Sequence, residues 1–148
     1  MIKLHYEITI NAPKQKVWET MLNDATYRQW TEAFCKGSYY KGSWEKGADI
    51  QFLGPNEDGT EGGMISRIKD NRLYEFISIE HLGEIHTGKP NPSVTDWKDA
   101  YENYTFKEVD SKTEIQVDIQ ANMNQEFAKM FDDMWPNALN KLKEITEK

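Results

Sequence analysis

The C-terminal stretch of the chain, Asn122–Lys148, carries apolar residues at steps of three and four, with charged and amide residues between them. This spacing predicts one long amphipathic helix with a single wide apolar face. Asn122 or Asn124 is suited to cap its start, and Pro136 predicts a kink because proline removes a backbone hydrogen bond. A helix of this kind needs a sheet to cover its apolar face. That face comprises Phe127, Phe131, Met134, Trp135, Ala138, Leu139, Leu142 and Ile145.

Two stretches alternate strictly between apolar and polar residues, which is typical of half-buried strands. They are Ile2–Ile10 near the start of the chain and Ile115–Ala121 just before the long helix. We expect these two strands to pair antiparallel, with their apolar residues under the C-terminal helix. A register slip of one residue would turn either apolar set towards water, so the pairing should be well determined.

Two short helices are predicted directly after the first strand. Pro13 opens the first of them, and Val17–Leu22 supplies its apolar face. The second is expected to start with Asp24 as its cap and to turn Tyr27, Trp30 and Phe34 inward.

The middle of the chain predicts short strands separated by glycine-marked turns. Ile50–Phe52, Met64–Ile68 and Tyr104–Phe106 each alternate over a few residues. Asp70-Asn71 is predicted to form a turn, followed by a longer strand over Leu73–Leu82. Since the strands run together and the helices are segregated from them, the fold class is α+β with a mainly antiparallel, curved sheet.

One irregular segment, Gly83–Lys98, has no hydrophobic period. Long segments of this kind are often lids or binding loops. Trp97, near its end, is expected either to close a pocket, with Gly83 and Gly88 allowing movement, or to fill the core. Both interpretations are open at this stage.

The composition narrows the possible partners. At 148 residues the chain is expected to form one domain, and its net charge of −7 gives no electrostatic basis for binding nucleic acid or an anionic membrane. No apolar run reaches the ~20 residues of a membrane span. The single cysteine, Cys35, and the absence of a signal-peptide pattern favour a cytoplasmic location.

The known catalytic and metal-binding motifs do not fit. Gly83–Lys89 has the spacing of a phosphate-binding loop, but Pro90 stands where that loop needs serine or threonine. The histidines have no zinc-type spacing, and Cys35 lacks a local histidine signature. We therefore predict no cofactor, no metal and no catalytic residue. The three histidines are His5, His81 and His86.

Several residues on neighbouring strands are expected to point to the same side of the sheet, towards the apolar face of the long helix. This arrangement predicts a cavity between the sheet and the helix. His81 would be its polar anchor, or else a core histidine bonded to a carbonyl or a nearby acid. The aromatic residues of the helix are either core or cavity lining. The proposed boundary comprises Trp30, Phe34, Phe52, Met64, Ile79, His81, Trp97, Tyr104, Phe131 and Trp135.

Scattered positions along the whole chain resemble a known family. They are Ile8–Pro13, Val17-Trp18, Trp30, Gly42, Trp44, Gly47, Ile50, Phe52, Arg72-Leu73-Tyr74, Glu102–Phe106, Thr113, Ile115, Trp135, Leu139 and Leu142. The chain resembles the SRPBCC superfamily, which includes START lipid-binding domains and the birch pollen allergen. Within it, the chain is similar to the AHSA-type branch, named after the activator of the heat-shock-protein ATPase. The resemblance implies a helix-grip fold, in which a seven-stranded sheet holds the C-terminal helix over a hydrophobic cavity.

Three functions are compatible with this resemblance. The first is binding of a small hydrophobic or aromatic molecule in the cavity. The second is a co-chaperone-like role as a protein interaction domain, as a monomer or a homodimer. The third is an enzyme of the cyclase or hydrolase kind, with His81 as general base. The AHSA-type branch has no shared catalytic residue that transfers to this chain.

Overall fold

The computed structural model describes residues 1–55, 59–85 and 94–148. Within these residues one seven-stranded antiparallel sheet has the order β1-β7-β6-β5-β4-β3-β2. The helix-grip arrangement of class α+β is therefore confirmed, with two short helices between the first two strands. The elements are β1 (Ile2–Ile10), α1 (Lys14–Leu22), α2 (Asp24–Trp30), a 3₁₀ turn (Thr31–Ala33), β2 (Tyr39–Gly42), β3 (Asp49–Pro55), β4 (Glu61–Arg72), β5 (Phe76–Ile85), β6 (Val94–Val109), β7 (Lys112–Met123) and α3 (Gln125–Glu147).

The predicted pairing of the first and last strands is confirmed. β1 and β7 pair antiparallel, with Ile2 opposite Ala121 and Ile8 opposite Ile115. Their apolar side chains face α3: the ring of Tyr6 stacks on Trp135 with centroids 6.1 Å apart. Strict alternation in the sequence was enough to predict this pairing because each strand has one face towards solvent and one face that is covered.

The long helix begins two residues later than its earliest predicted start. Asn124 is its cap, accepting a hydrogen bond from the backbone N–H of Phe127 at 2.8 Å. Asn122 belongs to β7 instead. Pro136 lies inside the helix, which continues to Glu147. The second helix, in contrast, is capped one residue before the predicted position. Asn23, not Asp24, accepts a hydrogen bond from the backbone N–H of Ala25.

The cap at Asn124 provides a direct test of local helix stability. Asn124→Ala should lower the free energy of unfolding by about 1 kcal/mol, because the backbone N–H of Phe127 loses its side-chain acceptor. Asn124→Asp keeps an acceptor at the same place and should be nearly neutral. Urea denaturation of both variants measures the difference, and equal losses for alanine and aspartate would show that the side-chain bond contributes nothing.

The turn predicted at Asp70-Asn71 is displaced. β4 continues through both residues, and the turn falls at Leu73–Glu75, where Tyr74 adopts a positive φ of 65°. Tertiary bonds explain the shift: the side-chain amide of Asn71 donates to the carbonyl of Trp44 at 2.7 Å. This contact anchors Asn71 in the ladder opposite Ile77, against its local turn preference.

The described parts of the segment predicted to be irregular, residues 83–85 and 94–98, are strand. β5 extends to Ile85 and β6 begins at Val94, so Gly83 and Trp97 both lie in the sheet. Register shifts in β6 between Val94 and Tyr101 remove the two-residue period, which is why the sequence shows none. The interpretations that involved His86, Gly88 and Pro90 fall outside the described residues.

Candidate functional site

A cavity of about 280 Å³ lies between the inner face of the sheet and the first half of α3. It is half-open, and its wall is built by α2, the 3₁₀ turn, β3, β4, β5, β6 and α3. Eight of the ten residues predicted to bound a cavity meet in this wall. They are Trp30, Phe34, Phe52, Met64, His81, Tyr104, Phe131 and Trp135.

The other two predicted residues lie elsewhere. Ile79 is fully buried in the core beside the cavity and does not line it. Trp97 is half-buried against the core and is also absent from the wall. The inward position of Ile79 follows from the alternation of β5, but alternation does not say which inward residues are covered by neighbours and which border open space.

Aromatic rings form a continuous lining. Trp135 contacts Phe34 and Trp30, with centroid distances of 4.9 and 6.1 Å. The ring centroid of Tyr27, on α2, lies 5.5 Å from that of Trp30 and 6.3 Å from that of Phe52. These rings come from α2, the residue after the 3₁₀ turn, β3 and α3, so the lining depends on the fold and not on any short motif.

Three polar side chains on neighbouring strands form a cluster at the wall. Ser66 and His81 are cross-strand partners, with Ser66 Oγ 2.7 Å from His81 Nδ1. His81 Nε2 lies 3.5 Å from Glu102 Oε1 on β6, and the hydroxyl of Tyr104 donates to Glu102 Oε2. Both nitrogens of His81 therefore face protein groups, as expected for a core histidine with a nearby acid, although its ring also borders the cavity.

Ser66, His81 and Glu102 carry the residue types of a nucleophilic triad, but the arrangement does not fit one. Ser66 is 0% exposed and is absent from the cavity wall, so its hydroxyl does not meet a bound molecule. Its role is to hold the imidazole ring of His81. The groups that do border the cavity are His81 (5% exposed) and Glu102 (9% exposed).

Glu102 was missed by the sequence analysis, although a signal existed. Ala100, Glu102, Tyr104 and Phe106 share one face of β6, and each of them is buried. The alternation that placed Tyr104 inward also places Glu102 inward. Acidic residues usually face water, so an inward glutamate is the less common outcome of such an alternation.

Two tyrosines of the wall are held in their neutral form. Burial raises the pKa of Tyr104 well above its ordinary value, and the nearby Glu102 raises it further. Burial likewise raises the pKa of Tyr27, again with a contribution from Glu102. Both phenols therefore offer the cavity a neutral hydroxyl and an aromatic face.

Neither a metal site nor a membrane-spanning helix is found in the part of the chain that the structure describes. No group of three or more His, Cys, Asp or Glu side chains there is arranged to hold a metal ion. None of the helices in that part has the length and apolar character that crossing a membrane requires.

Comparison with solved structures identifies the same fold elsewhere. An Aha1 dimer from Colwellia psychrerythraea is 17% identical and has a TM-score of 0.72, covering 99% of this chain and 97% of that one. A protein from Cytophaga hutchinsonii is 21% identical with a TM-score of 0.73, covering 99% and 94%. A protein from Chromobacterium violaceum is 15% identical with a TM-score of 0.73, covering 99% and 97%. At these identities the likeness concerns the fold.

Family comparison gives a more specific result. Among curated protein sequences, none matches this chain. The family model described as "Activator of Hsp90 ATPase homolog 1-like protein" matches residues 11–147, nearly the whole chain. The resemblance to the AHSA-type branch is thereby confirmed, and the chain belongs to the family of activator of Hsp90 ATPase homolog 1-like proteins.

Proposed function

We propose that this chain binds a small, mainly apolar molecule in the cavity between the sheet and α3. The observation that carries the proposal is the composition of the wall, in which aromatic rings surround one polar cluster of His81, Glu102 and Tyr104. Binding sites for small molecules are typically apolar clefts with a few polar groups that orient the ligand.

The cavity volume sets the size of the ligand. About 280 Å³ is at the lower end of the range for ligand pockets, roughly 300–1,000 Å³. A molecule of one or two rings, or a short acyl chain, suits this space better than a sterol or a full lipid. Because Trp30 and Trp135 both border the cavity, occupancy should change tryptophan fluorescence.

A matched pair of ligands tests the proposal. Naphthalene and 2-naphthol differ by one hydroxyl group, and both should bind saturably in calorimetric or NMR titrations. His81→Leu should weaken 2-naphthol by about 1–3 kcal/mol, the usual effect of removing a partner from a buried polar group. It should leave naphthalene nearly unaffected, since that molecule makes no hydrogen bond.

The control is His5→Leu, the same substitution on the exposed side of β1. It should alter neither titration. Equal loss of both ligands in His81→Leu would mean that His81 shapes the core without contacting the ligand. If neither compound, nor anilinonaphthalene sulfonate, binds saturably to the unmodified chain, the cavity proposal is wrong. Recovery of unchanged ligand after incubation separates binding from the cyclase or hydrolase alternative.

A co-chaperone-like role is the second candidate, favoured by the family description and by the Aha1 dimer among the structural neighbours. This role would use the outer surface, where the apolar side chains of Ile65 and Leu82 are exposed on adjacent strands. Stimulation of an Hsp90 ATPase by this chain is the corresponding assay. Stimulation that survives His81→Leu but not Ile65→Ser with Leu82→Ser would favour the surface over the cavity.

A further inference from the structure

We propose that the ligand of this cavity is an organic cation, namely an ammonium group on an apolar body, with the ammonium group beside Glu102. This inference rests on the proposed function and specifies the ligand class for the same site. It arises from the charge of the wall, from the partners of Glu102 and from the aromatic faces that surround it.

The wall contains one acidic residue and no lysine or arginine among the described residues. Glu102 is 9% exposed, and a buried carboxylate is unfavourable unless it is paired or fully hydrogen-bonded. Any cation that enters meets this carboxylate without competition from a lysine or arginine of the wall, and His81 is the basic side chain beside it. An anionic ligand would meet the same group with an unfavourable interaction.

The protein satisfies Glu102 only in part. Its Oε2 atom accepts a hydrogen bond from Tyr104. Its Oε1 atom has His81 Nε2 as its nearest basic neighbour, at 3.5 Å, beyond the usual ~2.7–3.2 Å of an N–H···O hydrogen bond. A carboxylate has about four acceptor positions, so Glu102 keeps capacity for a further positively charged donor or counter-ion.

The surrounding rings supply the second attraction. Tyr104 and Trp135 lie 6.1 Å apart by their centroids, Trp135 and Trp30 also 6.1 Å, and Tyr27 and Trp30 5.5 Å. The faces of such rings carry partial negative charge and attract ammonium groups, most strongly where water is excluded. Because the phenols of Tyr27 and Tyr104 are held neutral, they contribute ring faces and leave Glu102 as the negative centre.

Three probes of nearly the same shape test this inference on the intact chain. Phenyltrimethylammonium is the cation, tert-butylbenzene is its neutral carbon analogue, and 2-methyl-2-phenylpropanoate is an anion of similar size. The cation should bind roughly five- to thirtyfold tighter than the neutral probe, and the anion should bind weakest. Dissociation constants come from NMR or calorimetric titration.

Glu102→Gln should remove the preference for the cation. The affinity for the cation should fall to within a few-fold of that for the neutral probe, whose own affinity should not change. Glu108→Gln, exposed on the same strand, changes the net charge equally and should preserve the preference. Glu102→Met also removes the carboxylate and should likewise abolish the preference for the cation. It replaces Glu102→Gln in the test if that variant fails to fold, as judged by thermal melting.

The outcomes are distinct. Equal affinity for all three probes overturns the organic-cation inference and leaves the proposed function standing. A cation preference that persists unchanged in a folded Glu102→Gln also overturns it, since the carboxylate is then not responsible. Failure of every probe to bind removes the proposed function together with the inference.

Discussion

Trp135→Ala should lower the free energy of unfolding by about 3–5 kcal/mol, the range for removing a large aromatic side chain from a protein core. Trp135 is 3% exposed and contacts rings from four parts of the fold. It stacks on Tyr6 of β1 and contacts Trp30 at the end of α2, Phe34 after the 3₁₀ turn and Tyr104 of β6. Since one side of its ring borders the cavity, the loss should lie near the lower end of that range.

A matched variant separates packing from hydrogen bonding at this position. The indole N–H of Trp135 is buried and has no hydrogen-bond partner within the described residues. Trp135→Phe therefore loses volume but no hydrogen bond, and should recover most of the stability that alanine loses. Urea midpoints of the three proteins measure the effect. A midpoint for Trp135→Ala within error of the unmodified chain would remove this residue from the core.

Gly63→Ala should destabilise the fold by about 2–4 kcal/mol, through a backbone conflict that no side-chain movement relieves. Gly63 has φ of 153°, and a Cβ atom there would overlap the carbonyl oxygen of Phe52 and lie 2.9 Å from the Cα of Leu53. Both atoms belong to the backbone of β3, which pairs directly with β4 at this point. Accommodating alanine would require the two strands to separate beside the cavity wall.

Gly83→Ala is the matched control for this position. Gly83 lies on β5, the strand on the other side of β4, and a Cβ atom there would meet nothing within 4 Å. Its replacement should change stability by less than about 0.5 kcal/mol. Equal denaturation midpoints for Gly63→Ala and Gly83→Ala would show that β3 and β4 adjust freely.

The fold was predictable because its defining strands have one covered face. Ile8 and Ile115 belong to alternating sets whose parity fixes their register, and the helix that covers them has an equally clear stripe. Parity fails where the ladder shifts, as it does between Val94 and Tyr101 of β6. That is why Trp97 was assigned to a loop when it belongs to a strand.

The cavity wall was predictable only as a set of inward-facing residues. Sequence parity brought eight of its members together, but it also included Ile79, which the core covers completely. Whether an inward residue meets another side chain or open space depends on the separation of sheet and helix, which no local pattern encodes. The sequence analysis did not include Glu102 among the cavity residues, although its inward position follows from the alternation of β6.

Pro136 falls at a boundary between two parts of α3. The α3 residues that line the cavity, from Phe127 to Trp135, all precede it, whereas the core residues Ala138, Leu139 and Leu142 follow it. Proline has no N–H, so the carbonyl of Asp132 loses its intrahelical donor at this junction. Amide protection should consequently be uneven along the helix, because opening its first half disrupts fewer buried contacts than opening its second. The turns of α3 before Trp135 should then exchange faster than the turns from Trp135 to Leu142, which hold most of the buried apolar residues of this helix.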